Sequence, residues 1–122
     1  MIGYIMLGTN DLARAESYYD ALLGELNAKR VGNDPGRFTA WSNGKGPMLC
    51  ATVPYDKQAA TNGNGTMVAL ALGSRAEVDK FHAKALSLGS KDEGAPGVRG
   101  GNFYGGYFRD LDGNKFAAFF MG

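Results

Sequence analysis

The chain has 122 residues, the size of one ordinary domain, with 13 Lys plus Arg against 12 Asp plus Glu and a net charge of +1. That balance, without any run of like charges, speaks against nucleic acid and against an anionic membrane surface as partners. The lone cysteine, Cys50, excludes an internal disulfide and fits a reducing compartment. The start, MIGYIMLGTND, lacks the basic region of a signal peptide and the length of a membrane span, so a soluble, cytoplasmic protein is expected.

Residues 2–8, IGYIMLG, read as a short strand. TNDLARAESYYDALLGEL then reads as a helix, with Asn10 or Asp11 accepting from the free backbone N–H groups at its start. Leu12, Ala15, Tyr19, Leu22 and Leu23 form its apolar stripe, and Gly24 is its expected stop. Strands are expected near 27–32, 36–42 and 47–53, with Ser42-Asn43-Gly44 as a hairpin signal. The polar stretch PYDKQAATNGNG, 54–65, reads as a connecting loop.

The pattern then begins again. TMVALALG is a strand, and SRAEVDKFHAKALSLG is a helix with a capping box from Ser74 to Glu77. Its stripe is Val78, Phe81, Ala85 and Leu88, and it stops at Gly89. A short strand near 89–93 precedes GAPGVRGGNFYGG, which reads as a second loop. Strands near 103–109 and 114–121 flank the turn Asp112-Gly113. Leu12, Ala15, Tyr19 and Leu22 fall in constant register with Val78, Phe81, Ala85 and Leu88, and Asn43-Gly44 answers to Asp112-Gly113. Each half therefore reads β-α-β-β-β, a repeat carried by pattern more than by side-chain identity. The last strand is unusual. Phe116, Ala117, Ala118, Phe119, Phe120 and Met121 put no polar side chain on either face, whereas a strand covered on one side should alternate.

The segments LGTNDLARAESYYDALLG, PYDKQAATNGNGTMVALAL, SRAEVDKFHAKALSLG, DEGAPG and YFRDLDGNKFAAF together resemble the vicinal oxygen chelate superfamily, which includes glyoxalase I and the bleomycin resistance proteins. The last is similar to that family's D-P-D-G-N hairpin, with Leu111 in place of proline. The resemblance covers essentially the whole length. It implies an α+β fold of two βαβββ modules forming a curved mixed sheet around a cavity. A single domain over 1–122 is then expected, its modules at about 1–57 and 65–122 joined by the loop 54–64. The resemblance also implies a homodimer.

Metal-dependent members of that family place His, Glu, His and Glu on four strands. The corresponding positions here are Tyr4, Cys50, Met67 and Ala117, with Leu49 in place of Cys50 if the alignment shifts by one. None is the expected ligand. The composition bears on the same point: metal-dependent lyase or dioxygenase chemistry uses imidazole, and the one histidine, His82, lies mid-helix beside Phe81, where a packing role is ordinary. Cys50 has no second thiol or histidine to join it and reads as a small buried hydrophobe. No metal and no cofactor are therefore expected, and metal-dependent lyase or dioxygenase activity is not.

Ligand positions in the family point into the cavity, so alternate residues extend that face. This gives an expected pocket of Tyr4, Met6, Met48, Cys50, Met67, Ala69, Ala117, Phe119 and Met121, with Trp41 and Tyr107 as further aromatic walls. Thr52, Ala71 and Lys115 share the same faces. Ile5, Leu7, Leu49, Val53, Val68, Leu70, Leu72, Phe116 and Phe120 fall on the opposite, helix-facing side. Methionine-rich surfaces adapt to varied apolar ligands; the alternative is that these side chains fill the concavity or a dimer interface. Arg99, in the loop GVRGGNFYGG, is a candidate contact for an anion and otherwise a solvated arginine. Arg109 is expected to pair with Asp110 or Asp112 as part of the structure. Catalytic residues are not assignable. Three functions compete: a metal-free binder of a small, largely apolar or aromatic molecule, a divergent lyase, isomerase or dioxygenase relative, and a structural dimer with a filled cavity.

Overall fold

Both helices start where a short polar side chain meets the free N–H groups of a first turn. In a computed structural model describing residues 1–122, Asp11 accepts from the Arg14 amide at 3.0 Å and opens helix α1, Leu12–Gly24. Ser74 accepts from the Glu77 amide at 3.1 Å and opens α2, Arg75–Ser87. Gly24 does not stop α1 in the expected way. It is the last helical residue, and the left-handed turn comes later, at Asn27 with φ 59°. Gly89 does take the left-handed conformation after α2, with φ 99°.

The strands are β1 Tyr4–Gly8, β2 Lys29–Asp34, β3 Phe38–Ser42, β4 Met48–Thr52, β5 Val68–Ala71, β6 Lys91–Val98, β7 Phe103–Arg109 and β8 Lys115–Met121. They form two four-stranded sheets, ordered β1-β4-β3-β2 and β5-β8-β7-β6. In each sheet the first strand pairs in parallel with the last, and the other pairings are antiparallel. Each sheet with its helix is one compact unit, Met1–Thr61 or Asn62–Gly122. Neither helix is long and apolar enough to cross a membrane.

Residues 94–98, read from sequence as the start of a loop, belong to a strand. β6 runs to Val98 and β7 begins at Phe103. Its pairing with β7 slips twice, between Asp92 and Gly94 and between Gly94 and Gly97. Such bulges break the alternation that marks a strand, and Pro96 is tolerated because β6 is an edge.

In the first unit, α1 is fastened to β2 and β3 by polar contacts. Asp20 accepts from the Trp41 indole N–H at 2.9 Å and from Arg30 at 2.9 and 2.8 Å. Thr39 donates to Glu16 at 2.6 Å. The Arg30 hydrogen bond, assisted by that of Trp41, holds the Asp20 carboxyl below its ordinary range despite partial desolvation. Around these groups pack Tyr18, Tyr19, Leu22 and Leu23, all buried.

In the second unit, α2 covers β6–β8 through Val78, Phe81, His82 and Ala85. Phe108 and Phe116 stack below it with centroids 5.4 Å apart, and Phe81 meets Phe108 at 6.1 Å. His82 is only 3 % exposed, and its Nε2 faces the Asp92 carboxylate at 3.2 Å and the Tyr107 carbonyl at 3.1 Å. Both are acceptors, so Nε2 carries the proton and ties α2 to β6 and β7. The histidine is thus a satisfied packing residue.

Candidate functional site

Which face each strand turns away from its helix follows from these contacts and from the register. In the first sheet Thr39 and Trp41 meet α1, so their partners Ala51 and Leu49 share the helix side. Ala40 and Cys50 then lie on the far side, with Met6, and Tyr4 pairs there with Met48. Trp41 is a correction. Expected as a pocket wall, it is 1 % exposed, packs on Tyr19 at 5.4 Å and belongs to the helix-side core. The register between β3 and β4, which sequence alone does not supply, sets its direction.

Tyr4 and Met6 are exposed on the far face, and Met48 is half-buried. Cys50 is buried at 3 % exposure, and desolvation raises its thiol pKa. A protonated, covered thiol is a poor nucleophile. Iodoacetamide at pH 8 should therefore alkylate the native protein at least about tenfold more slowly than the urea-unfolded chain. Equal rates, followed by mass spectrometry, would show that solvent reaches the sulfur.

In the second sheet Phe108 and Phe116 mark the helix side. Tyr107, Ala117 and Ala69 line up across the far face, and so do Gly105, Phe119 and Ala71. Phe103 folds back over Gly105 and stacks on Phe119 with centroids 5.2 Å apart and planes 6° from parallel. A side chain at Gly105 would collide with that ring. Met67, Ala69, Ala71 and Met121 are exposed, and Tyr107 and Phe119 are half-buried. Ala117 has no exposure at all, so it is a covered floor and not a wall that a ligand can touch.

Arg99 reaches back to the Ala95 carbonyl and lies 5.4 Å from the Tyr107 ring centroid. Lys115 approaches the same ring, its Nζ 5.8 Å from the centroid. Tyr107 is therefore in contact with two cations, an arrangement that attracts positive charge to an aromatic face.

A concavity of about 560 Å³ lies beside these groups, lined by residues 62–66, Met67, Arg109 and Lys115. Sequence reasoning missed it. The loop 54–65 read only as a connector, and Arg109 was expected to pair with Asp110 or Asp112. Instead Arg109 bonds Glu93 through Nε at 2.6 Å and the Gly113 carbonyl through Nη1 at 2.9 Å. Asn62 donates to that same carbonyl at 2.6 Å. Gly113 has φ 90° and lies so close to Asn62 that a side chain there would clash. The hairpin turn thus holds both Arg109 and the loop in place. Asp110 shapes the turn by accepting from the amides of Asp112 at 2.9 Å and Asn114 at 2.8 Å.

A second concavity, about 820 Å³, lies in the first unit among Asp34, Gly36, Arg37, Tyr55 and Lys57. It contains none of the expected pocket residues, and its Arg37 already pairs with Asp34 at 3.3 Å.

Two β-α-β-β-β units of identical strand order, closed by an Asp-Leu-Asp-Gly-Asn hairpin, are now in view. Residues 1–118 match the family described as the glyoxalase/bleomycin resistance protein/dioxygenase superfamily. The chain belongs to this superfamily. It is similar to a glyoxalase/bleomycin resistance protein from Albidiferax ferrireducens, with 35% identity, a TM-score of 0.90, and 100% of this chain and 99% of that one covered. Two further structures share the fold at lower identity. One is a glyoxalase/bleomycin resistance protein/dioxygenase family enzyme from Burkholderia phytofirmans (17% identity, TM-score 0.81, 98% of each chain covered). The other is a lactoylglutathione lyase from Agrobacterium tumefaciens (23% identity, TM-score 0.74, 98% of this chain and 92% of that one). A search of curated proteins returns no match.

The positions that the resemblance assigns to the metal ligands, Tyr4, Cys50, Met67 and Ala117, carry a phenol, a thiol, a thioether and a methyl group. Taking Leu49 for Cys50 removes the thiol as well. Catalytic divalent sites are built from imidazole and carboxylate with an open position. No three His, Cys, Asp or Glu side chains come together anywhere in the chain. This donor set does not fit the family's metal.

Proposed function

We propose that this chain is a binding member of its superfamily that works without the usual metal and takes up a small, largely apolar or aromatic molecule. The donor set at Tyr4, Cys50, Met67 and Ala117 carries this reading. The side chains facing away from the helices support it. Tyr4, Met6, Met67 and Met121 are 58%, 43%, 44% and 56% exposed, an unusual amount of flexible apolar surface to leave in water. The reading includes a homodimer, so light scattering should report about twice the 12.9 kDa of one chain.

Elemental analysis of protein purified without a tag tests the metal claim. Zinc, nickel, iron and manganese should each fall well below one ion per chain after dialysis. A stoichiometric metal would overturn the reading and favour an enzyme with divergent ligands. A thermal-shift screen of small aromatic compounds tests the binding claim, because a ligand held by the native state alone raises the transition temperature. A screen without a single hit would favour the structural dimer.

A further inference from the structure

Resting on that reading, we infer that the ligand is an anion, a carboxylate with an aromatic or apolar body, and that its charged end sits in the concavity beside Lys115 and Arg109.

The charge distribution is the first reason. The lining of this concavity includes Arg109 and Lys115 and no acidic side chain. Arg109 is already bonded to Glu93. Lys115 forms no ion pair. Its Nζ lies 5.8 Å from the Tyr107 ring centroid, and it acts on Glu93 only through space, without a direct bond. Lys91 pairs with Arg109 across β6 and β7 and lies on the same side. The charges of Arg109, Lys91 and Lys115 add to the Arg109 hydrogen bond in holding the Glu93 carboxyl below its usual range, so this one carboxylate sits in a positive field. The overall charge of +1 shows nothing of this local excess.

Geometry is the second reason. Lys115, Ala117 and Phe119 follow one another on one face of β8, about 7 Å apart at the rise of a strand. The stacked Phe103–Phe119 pair therefore begins about 13 Å from the lysine, with half-buried Tyr107 beside the covered alanine between them. A cation at one end of an aromatic strip matches a flat body with a terminal carboxylate. Met67, next to Lys115 in the lining, adds an adaptable apolar contact. Lysine ammonium recognises a carboxylate as a point charge, and charge-assisted hydrogen bonds are about twice as strong as neutral ones.

The test compares 2-naphthoate with 2-naphthamide, which share a body and differ in charge, titrated into isotope-labelled full-length protein and followed by amide chemical shifts. The carboxylate should bind about tenfold tighter or more than the amide, shifting residues 62–67 and 115. Lys115→Met should remove that preference, Lys115→Arg should restore most of it, and Lys80→Met, on the exposed side of α2, should leave both affinities unchanged. Equal affinities, a preference for the amide, a preference that survives Lys115→Met, or shifts confined to another region would overturn the anion inference while leaving apolar binding intact. Failure of both probes at millimolar concentration would count against both readings.

Discussion

Replacing Phe108 with alanine should lower the unfolding free energy by about 3–5 kcal/mol. Phe108 has no exposure and is held from three sides: Phe116 stacks on it, Phe81 of α2 meets it at 6.1 Å, and the His82 ring approaches edge-on at 6.3 Å. Truncation removes the shared member of all three contacts and leaves a void that rigid strand neighbours cannot close. The partners left behind include the histidine that joins α2 to β6 and β7, so docking of the helix weakens along with the packing. Urea unfolding followed by circular dichroism measures this. A loss below about 1 kcal/mol would mean that the second unit's core lies elsewhere.

Placing the family's glutamate back at position 117 should also be costly. Ala117→Glu puts a carboxylate where there is no exposure, flanked across the sheet by Ala69 and Tyr107. A buried charge without a direct partner costs about 3–5 kcal/mol, of which Lys115, about 7 Å along the same face, offsets only part, and added volume in a closed site costs more. Burial raises the carboxyl's folded-state pKa above the unfolded value, so the penalty is full at neutral pH. It should shrink as the pH falls through the raised folded-state pKa towards the unfolded value, because the neutral acid is less costly to bury. Nickel or zinc should not rescue the variant, since Tyr4 and Met67 supply no imidazole. Thermal stability that matched the parent, or rose on adding metal, would show that a metal pocket persists around this strand.

The features legible in the sequence are those that local chemistry determines. Asp11 and Ser74 cap helices because short acceptors satisfy first-turn amides wherever the fold places them. The Asp112-Gly113 turn follows from Asp110 and a glycine with positive φ. The repeat emerged because both halves show the same order of periodicities. What failed was set by neighbours far along the chain. Trp41 turned out to face α1 because β3 takes its register from β4 and its indole finds Asp20. The continuation of β6 from Gly94 to Val98 was hidden because two register shifts and a proline erase its alternation. Arg109 chose Glu93 over the adjacent aspartates because β6 lies beside β7, a pairing sequence spacing does not reveal. Lys115 was legible as a residue of the cavity-side face, but not its setting beside Met67 and the 62–66 loop, which lies far from it along the chain.

The irregular pairing of β2 and β6 has a consequence for growth of the sheets. Each lies at one border of its sheet, and each slips register, between Arg30 and Gly32 and again around Gly94. A bulged border containing glycine, or proline in β6, offers a poor template for another strand. The opposite borders, β1 and β5, are short but unbroken in their pairing. Within each sheet, therefore, one border is interrupted and the other is regular. A polar or proline substitution meant to test strand addition thus belongs on β1 or β5 rather than on the bulged borders.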